Sequence, residues 1–453
     1  MRLRLSEIAG IMGVRPSGED PIVTGIVVDS RDAGPGDLFC AIRGQSADGH
    51  DFVQSAAEAG AAAALVTRSV AAKIPVLTVE SVAEALGRLA ARIRDGFEGQ
   101  VIGVTGSVGK TSTKELLAAA LTSAGPVLKS EGNLNTEYGL PITWMRLERG
   151  HRFAVLEMAM RGPGQIRHLC NFSRPTVGVV TGLGSAHIGE LGSRGGIANA
   201  KAELLEALPE DGVAILPAGR ALDLLRGRAR CRVLTFGDEE SSEVRVVASR
   251  LDLTANRTYC EFSVGGERYD ALIPGLGRHQ AINAAGALAV CLAVGVETEG
   301  ALRHMGGASL PTDRLCAVPF NRGTLLVDIY NSSPESCVEA LRVLDESADE
   351  GRRIAVLGDM LELGDYTEEA HRLVGREVVR LELDVLLTIG DSARLIADEA
   401  RQQGFSGSVH VLDRAEDAAP VLNSMRPGDI ALIKGSRALR LERVLEQMGV
   451  TCA

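Results

Sequence analysis

The residues with the clearest capacity for chemistry lie in VIGVTGSVGKTSTKELL, residues 101–117. Between an apolar run and a helical pattern, this segment places the glycines and polar side chains of a phosphate-binding turn, namely Gly106, Gly109, Lys110 and Thr111. Glycines there let backbone N–H groups close around phosphate oxygens, and the start of the helix adds the positive end of its dipole. Lys110 would then neutralise β- and γ-phosphates, and the Thr111 hydroxyl is placed to bind Mg²⁺. A strict P-loop has a glycine where this chain has Val104, so the pattern predicts a shorter variant of that loop.

Two further polar residues follow apolar runs that read as strands. Glu157 ends the run AVLE, and His187 follows VGVVT through a short turn. Because the carboxyl ends of parallel strands meet at one edge of a sheet, both side chains are expected beside the phosphate loop. A carboxylate, an imidazole and a threonine hydroxyl form a reasonable Mg²⁺ set, although imidazole is not the usual first ligand of magnesium.

Lys201 lies in IANAKAELLEAL and borders the apolar stripe of that predicted helix. Two interpretations stay open from the residues alone. Its stem could lie along apolar surface with the ammonium in water, or the amine could be partly buried.

The elements that must position these residues follow an α/β pattern. Apolar strand patterns recur at 101–105, 153–156, 177–181, 213–216 and 233–236, and helical patterns such as 111–124 and 281–294 lie among or after them. Upstream, strands are predicted at 22–28, 37–42 and 64–66, with helices at 52–64 and 86–97. Period-two alternation from 243 to 273 predicts an antiparallel patch. Four later strand candidates, at 325–328, 353–357, 385–389 and 430–433, predict a small Rossmann-like sheet.

A length of 453 residues indicates three domains. We predict an α/β fold with a central P-loop ATPase-type domain of mostly parallel sheet at residues 100–309. An N-terminal α/β substrate domain at 1–99 and a C-terminal Rossmann-like domain at 310–453 would flank it. The polar joint at 98–100 and the segment Ser309-Leu310-Pro311 mark the predicted boundaries.

Charge and composition exclude several classes of protein. A formal net charge of -11 argues against a general nucleic-acid or anionic-membrane surface. The eight cysteines are scattered singly without C-x-x-C spacing, which is typical of a reducing compartment. No signal-peptide core and no apolar run of ~18 residues is present, so a cytoplasmic protein without membrane insertion is expected. A monomer is the default expectation.

Taken together, these residues resemble the Mur ligase family, and the likeness runs over nearly the whole chain. The stretch TGSVGKT at 105–111, Glu-Met at 157–158, the histidine at 187 and AKAELL at 200–205 occur in the family's order. Three later stretches, DIYNSSPES at 328–336, VLGDMLELG at 356–364 and KGSR at 434–437, resemble the members that add a dipeptide. The D-N-P-R motif of the members that add the third amino acid is absent.

The resemblance implies an ATP site, a magnesium site and an amide-forming reaction. It assigns ATP contacts to Thr105, Gly106, Ser107, Val108, Gly109, Lys110, Thr111, Asn283, Arg314 and Asp328. It assigns Mg²⁺ ligation to Thr111, Glu157, His187 and Lys201, with Lys201 converted to a carbamate by CO₂. The catalytic set implied is Lys110, Glu157, His187 and Lys201.

The resemblance also implies small-molecule substrates: ATP, a UDP-N-acetylmuramoyl-tripeptide and D-alanyl-D-alanine. Substrate contacts are expected at Ser30, Asn135, Thr136, Asn331, Asp359 and Lys434. Lys434 would seat the carboxylate of the dipeptide, and Asp359 or Glu362 would hold its ammonium. Whether the tripeptide ends in diaminopimelate or lysine stays open.

Two alternatives are weighed against this interpretation. One is another amide ligase of the same superfamily, of the third-residue-adding or folyl-polyglutamate type, and VLGDMLELG argues against it. The other is a catalytically silent protein that senses UDP-sugars, and the joint presence of Lys110, Glu157, His187 and Lys201 argues against that. The guanine motif N-K-x-D of a GTPase is absent.

Overall fold

Three main sheets follow one another along the chain in a computed structural model that describes residues 1–44, 47–348 and 350–450. Each sheet carries helices on its faces, and parallel pairing dominates all three. The predicted α/β class with three units in series is therefore confirmed.

The N-terminal unit contains a four-stranded, all-parallel sheet of order β3-β4-β5-β6, beside a small antiparallel pair, β1 and β2. Its strands are β1 (Leu3–Arg4), β2 (Ile22–Val23), β3 (Gly25–Val27), β4 (Asp37–Cys40), β5 (Ala63–Val66) and β6 (Val76–Thr78). Its helices are α1 (Leu5–Met12), α2 (Val53–Glu58) and α3 (Val82–Asp95).

Two predictions in this unit were wrong in detail. The strand expected at 22–28 divides at Thr24, because β2 pairs with β1 whereas β3 pairs with β4. The helix expected at 52–64 is shorter, since the chain turns at Gly60, whose φ of 105° is a left-handed conformation that favours glycine.

The central unit is built on a nine-stranded sheet of order β15-β14-β13-β12-β11-β10-β7-β9-β8. Its strands are β7 (Gln100–Thr105), β8 (Val127–Lys129), β9 (Phe153–Glu157), β10 (Val177–Val180), β11 (Val213–Pro217), β12 (Arg232–Gly237), β13 (Val244–Asp252), β14 (Arg257–Val264) and β15 (Glu267–Pro274). Strands β7 to β12 are parallel, and β13–β15 form the predicted antiparallel patch.

The helices of the central unit are α4 (Lys110–Leu121), α5 (Gly139–Met145), α6 (Gln165–Ser173), α7 (Ile188–Leu191), α8 (Arg194–Glu206), α9 (Arg220–Leu225), α10 (Arg278–Ala293) and α11 (Thr298–Met305). Helix α10 is buried over most of its length because it packs against α4, β12 and β13. Its alanines permit this close packing on several sides.

The C-terminal unit has a six-stranded sheet of order β16-β17-β21-β18-β19-β20, parallel except for β16. Its strands are β16 (Cys316–Phe320), β17 (Gly323–Asp328), β18 (Arg353–Gly358), β19 (Val385–Ile389), β20 (Ser408–Leu412) and β21 (Ile430–Lys434). Its helices are α12 (Pro334–Glu346), α13 (Thr367–Arg380), α14 (Arg394–Gln402), α15 (Ala419–Asn423) and α16 (Glu442–Gln447).

The N-terminal and central units share one hydrophobic core. Helix α3 packs against α5 and α6, and Leu89, Trp144 and Phe172 belong to the same buried cluster. The rings of Phe97 and Trp144 meet edge to face with centroids 5.8 Å apart. The C-terminal unit has separate buried clusters, to one of which Leu276 contributes from the central unit. The domain boundaries at 99 and 309 stay predictions.

Candidate functional site

The candidate site lies at the carboxyl edge of three neighbouring strands in the middle of the central sheet. Strand β7 pairs with β10 on one side and with β9 on the other, all in parallel. The phosphate loop leaves β7, Glu157 ends β9, and the turn that carries His187 follows β10. Parallel pairing thus brings together residues that are distant in sequence.

Glycine is required at two positions of the phosphate loop. Gly106 has a φ of 154°, and a Cβ atom there would lie 2.0 Å from Oγ1 of Thr181. Gly109 has a φ of 80°, and a Cβ atom there would lie 2.4 Å from Oδ1 of Asn283. Because helix α4 begins directly after Gly109, its unpaired N–H groups face the loop.

Lys110 folds back over this loop. Its Nζ donates to the carbonyl oxygens of Gly106, at 2.8 Å, and Ser107, at 3.4 Å. Burial lowers the pKa of Lys110, while the Glu157 carboxylate acts in the opposite direction and the Arg314 guanidinium in the same one. When a phosphate occupies the loop, its oxygens could therefore replace these carbonyl oxygens as hydrogen-bond acceptors of the Lys110 ammonium.

Glu157 is 2% exposed, and its carboxylate accepts two side-chain hydrogen bonds. Its Oε2 accepts from the Thr111 hydroxyl at 3.0 Å, and its Oε1 accepts from Nδ2 of Asn135 at 2.9 Å. Asn135, predicted to contact substrate, is thus placed on the carboxylate of the expected metal site.

Sequence reasoning missed Lys114, which lies one turn after Lys110 on α4. Its side chain is fully buried, and its Nζ lies 3.8 Å from Oε2 of Glu157 and 2.9 Å from Oε1 of Glu115. The sequence signal that could have indicated Lys114 is its position on the face of α4 that packs against the sheet. It supplies positive charge beside a buried carboxylate.

His187 and Lys201 complete the site. His187 has a φ of 65°, and its Nδ1 lies 3.0 Å from Oε2 of Glu362 and 3.5 Å from Oε2 of Glu190. Burial lowers the pKa of His187, Glu362 opposes this, and Lys110 and Lys201 add to it.

Lys201 is 1% exposed on α8, so the interpretation as a buried amine is the one that the structure supports. Burial takes the pKa of Lys201 well below its ordinary value, and the nearby charge of Lys110 acts in the same direction. A neutral amine is therefore favoured at this position.

The donors at this edge fit magnesium. Among the described residues, no three His, Cys, Asp or Glu side chains gather into a metal cage. Mg²⁺ commonly binds through one or two carboxylates, with substrate phosphates and water completing its shell. Glu157 and the hydroxyl of Thr111 beside a phosphate loop match that pattern, and a carbamate on Lys201 would add a further oxygen donor.

Two of the predicted ATP contacts, Asn283 and Arg314, lie far from the phosphate loop in the sequence. Asn283 accepts from the Thr113 hydroxyl at 3.4 Å and donates to Oε1 of Gln280 at 3.1 Å, so its amide is fixed against the loop. Arg314 stacks 4.1 Å from the ring centroid of Tyr330, and its Nε is buried without a hydrogen-bond partner among the described residues.

Lys434 and Asp328 form a buried pair in the C-terminal unit. They are register partners on β21 and β17, and Nζ of Lys434 lies 2.6 Å from Oδ2 of Asp328. The same Nζ donates to the Asn331 carbonyl at 2.9 Å, and the Lys434 side chain is only 1% exposed. Lys434 is therefore directed inward, and its predicted contact with a dipeptide carboxylate stays a prediction.

The other predicted substrate residues have local partners. Oδ1 of Asp359 accepts from the N–H of Ala393 at 2.7 Å, just before α14. Thr136 accepts from the N–H of Gly139 at 3.4 Å, where α5 begins. Ser30 starts a short 3₁₀ turn of the N-terminal unit. Their contacts with substrate stay predictions. Among the described helices, none has both the length and the apolar character to cross a membrane.

Three family descriptions match the chain in succession. Residues 22–94 match "Mur ligase family, catalytic domain", residues 104–291 match "Mur ligase middle domain", and residues 313–437 match "Mur ligase, glutamate ligase domain".

Three relatives that match over nearly their full length share one name, UDP-N-acetylmuramoyl-tripeptide–D-alanyl-D-alanine ligase. The protein of Bacillus subtilis is 33% identical over 438 residues, covering 96% of this chain and 94% of the relative. That of Synechocystis is 36% identical over 445 residues, covering 97% and 94%. That of Escherichia coli is 31% identical over 449 residues, covering 98% of both.

Solved structures agree with these relatives. A crystal structure of MurF from Acinetobacter baumannii has a TM-score of 0.88 at 28% identity and covers 99% of both chains. MurF ligase from Thermotoga maritima in complex with ADP has a TM-score of 0.82 at 31% identity, covering 94% of this chain and 96% of that one.

Proposed function

The chain belongs to the Mur ligase family, and from that membership we propose that it uses ATP to join D-alanyl-D-alanine to a UDP-N-acetylmuramoyl-tripeptide. The observation that carries this proposal is the contact between the Thr111 hydroxyl and the Glu157 carboxylate directly beyond a phosphate-binding loop. The names of relatives that match over nearly the whole chain support the choice of substrates.

The proposed reaction proceeds in two steps. The terminal carboxylate of the tripeptide attacks the γ-phosphorus of ATP, forming an acyl phosphate and releasing ADP. The amine of the dipeptide then attacks the acyl carbon, so that an amide forms, inorganic phosphate leaves and the amine loses a proton. Lys110 would stabilise charge on the phosphates, and the loop N–H groups would hold them in position.

Magnesium is the metal that we propose for this site, held by Thr111, Glu157, His187 and Lys201. It would supply positive charge to the phosphate oxygens. Lys201 is proposed to act as a carbamate, since its buried neutral amine can react with CO₂ whereas an ammonium cannot. Carbamate formation gives an anionic oxygen donor and releases one proton.

We propose a separate role for each of the three units. Residues 1–99 would bind the UDP part of the substrate, residues 100–309 would bind ATP, and residues 310–453 would present the dipeptide. Ser30, Asn331 and Asp359 are proposed as contacts within that scheme. A monomer in the cytoplasm, where ATP is available, is the proposed setting.

A coupled assay of phosphate release tests the function. The chain is supplied with ATP, Mg²⁺ and a UDP-N-acetylmuramoyl-tripeptide, and the amine is varied between D-alanyl-D-alanine and single amino acids. We expect phosphate release only when D-alanyl-D-alanine is the amine supplied. Release with glutamate or diaminopimelate instead would favour another ligase of the family, and no release with any amine would favour a nucleotide-binding protein without catalysis. Running the assay with tripeptides ending in diaminopimelate or lysine identifies the third residue.

A further inference from the structure

Two loops from different units meet backbone to backbone beside the candidate site. The loop after β18, which contains the sequence DMLELG, packs on the segment that carries His187. The Glu362 carbonyl accepts from the N–H of Gly189 at 3.3 Å. A Cβ atom on Gly189 would lie 2.8 Å from the backbone nitrogen of Gly364, so no larger residue fits without moving one loop.

The Glu362 side chain extends this contact to His187. Its Oε2 lies 3.0 Å from Nδ1 of His187, nearer than the 3.5 Å to Glu190 on the helix that follows the histidine. That Nδ1 is buried, and no described group is aligned to hydrogen-bond it. A buried ring nitrogen needs a partner, and Glu362 offers the nearest carboxylate.

Both residues hold unusual backbone conformations. The φ of His187 is 65° and that of Glu362 is 63°. Left-handed conformations are unfavourable for residues other than glycine, and they persist where surrounding contacts fix them, often at functional sites. Nine described residues other than glycine have such positive φ values, and His187 and Glu362 are two of them that contact each other.

We infer that Glu362 is a positioning residue for His187. A histidine that binds a metal through one ring nitrogen usually presents the other to a carboxylate, which fixes the ring and its tautomer. With Glu362 at Nδ1, Nε2 is the nitrogen left for the metal. This inference rests on the proposed function, in which His187 contributes to the magnesium site. The C-terminal unit, which would present the dipeptide, would then also contribute Glu362 to the ATP site of the central unit.

The test compares Glu362→Gln with Glu190→Gln, a matched control that alters the more distant carboxylate near the same imidazole. Mn²⁺ is the probe, and its binding to the ADP complex of the full chain is measured by electron paramagnetic resonance. Loss of such an outer partner typically weakens metal binding by about 10- to 100-fold, which is the result expected for Glu362→Gln. ADP binding without metal and the unfolding temperature should stay unchanged, since Glu362 is half exposed. Glu190→Gln should bind Mn²⁺ nearly as the wild type does.

Gly189→Ala provides a second, independent variant. It keeps Glu362 but forces the two loops apart, so it should weaken Mn²⁺ binding as well. Wild-type Mn²⁺ affinity in Glu362→Gln overturns the inference, whatever Gly189→Ala does. If the wild-type ADP complex binds no Mn²⁺, the proposed metal site fails and the inference fails with it. Phosphate release by the wild type reports on the proposed ligase activity separately.

Discussion

Among the described residues, the side chains of Lys114, Lys201 and Lys434 are almost fully buried, yet their amines have different surroundings. Lys114 lies beside the carboxylates of Glu115 and Glu157, and Lys434 lies beside that of Asp328. For Lys201, burial and the charge of Lys110 both favour loss of the proton. A buried ammonium is unfavourable unless a partner compensates it. This difference separates lysines that serve as cations from the one suited to react as an amine.

The first prediction concerns the charge on the phosphate loop. Lys110→Ala should fold normally but lose activity, because removing one donor to developing charge typically lowers the rate by about 10²- to 10³-fold. Turnover in the phosphate-release assay and the unfolding temperature together check this. Near-normal turnover by the folded variant would remove the loop lysine from the mechanism.

The second prediction concerns the buried amine. Lys201→Ala should be inactive, and a short carboxylate such as acetate should restore part of the activity by occupying the space of the carbamate. Lys110→Ala serves as the control, since acetate cannot replace a cation. A crystal structure of the active protein with an ATP analogue and Mg²⁺ would show directly whether the Lys201 side chain carries a carbamate. An unmodified ammonium paired with a carboxylate there would contradict the carbamate.

The third prediction is a pH dependence from His279. Burial lowers its pKa from 6.5 to about 4, with Asp328 opposing and Lys434 adding to the shift. Between these values the unfolded chain binds a proton that the folded chain excludes, so stability is present above pH 6.5 and is lost as pH falls toward 4. The loss should reach no more than about 3 kcal/mol, at 1.36 kcal/mol per pKa unit.

Urea unfolding at pH 7 and pH 5, for the wild type and His279→Gln, measures this effect. The wild type should lose more free energy of unfolding between the two pH values than the variant does. Equal losses in both proteins would show that His279 does not titrate in this way.

At the scale of elements, local pattern predicted the strands that matter for the site. Strands β7, β9 and β10 are continuous apolar runs that are buried on both faces, and the phosphate loop has its own glycine signature. The five strands that were missed lie at sheet edges. Strands β1, β6 and β8 have only two or three residues, β16 contains Pro319, and β20 is partly exposed. Short or exposed strands leave little periodic signal, because fewer of their residues must be apolar.

Side-chain contacts between elements that are distant in the sequence could not be predicted from local sequence patterns. Lys114 acquires its role only when α4 packs beside β9. Glu362 acquires its contact only when a loop of the last sheet meets the turn after β10. Asn135 was predicted only as a substrate contact, and its hydrogen bond to Glu157 depends on the neighbouring strand. Pairings of this kind are set by tertiary packing, which sequence spacing does not encode.

The fourth prediction concerns the ion pair between β17 and β21. Lys434→Met should destabilise the protein by about 3 kcal/mol or more, because it leaves the Asp328 carboxylate without its buried partner. The double variant Lys434→Met/Asp328→Asn should recover part of this loss, since it removes the uncompensated charge as well. Unfolding free energies of these two variants and of the single variant Asp328→Asn complete the cycle. An unchanged stability for Lys434→Met would contradict the prediction.

At the scale of the whole molecule, the two joints between units differ in kind. The first is a continuous apolar core, which includes side chains such as Leu89 and Trp144. The second combines a smaller apolar contact, in which Leu276 joins a core of the C-terminal unit, with polar and backbone contacts around the site. Among the polar contacts, the Ser185 N–H and hydroxyl donate to Glu335 at 2.9 and 3.0 Å. Polar contacts of this sort can be exchanged for water, whereas an apolar core cannot.

The fifth prediction follows from this difference and is tested by cutting the chain. A fragment of residues 1–309 should fold, because it keeps the shared core intact. A fragment of residues 100–453 should aggregate, since each large apolar side chain that it uncovers loses roughly 1.5–3 kcal/mol of burial free energy. Light scattering and circular dichroism of both fragments check the outcome, and a monodisperse, folded 100–453 fragment would contradict it.

The core beneath α3 also bears on how such chains can be recombined. The predicted domain boundary near residue 99 suggests that the first unit could be exchanged between relatives by itself. The buried faces of α5 and α6 pack against α3, and the Phe97 ring contacts that of Trp144. A chimera that exchanges the first unit alone would therefore pack α3 of one relative against α5 and α6 of another. We therefore expect that the first unit has to be exchanged together with helices α5 and α6, which complete its core.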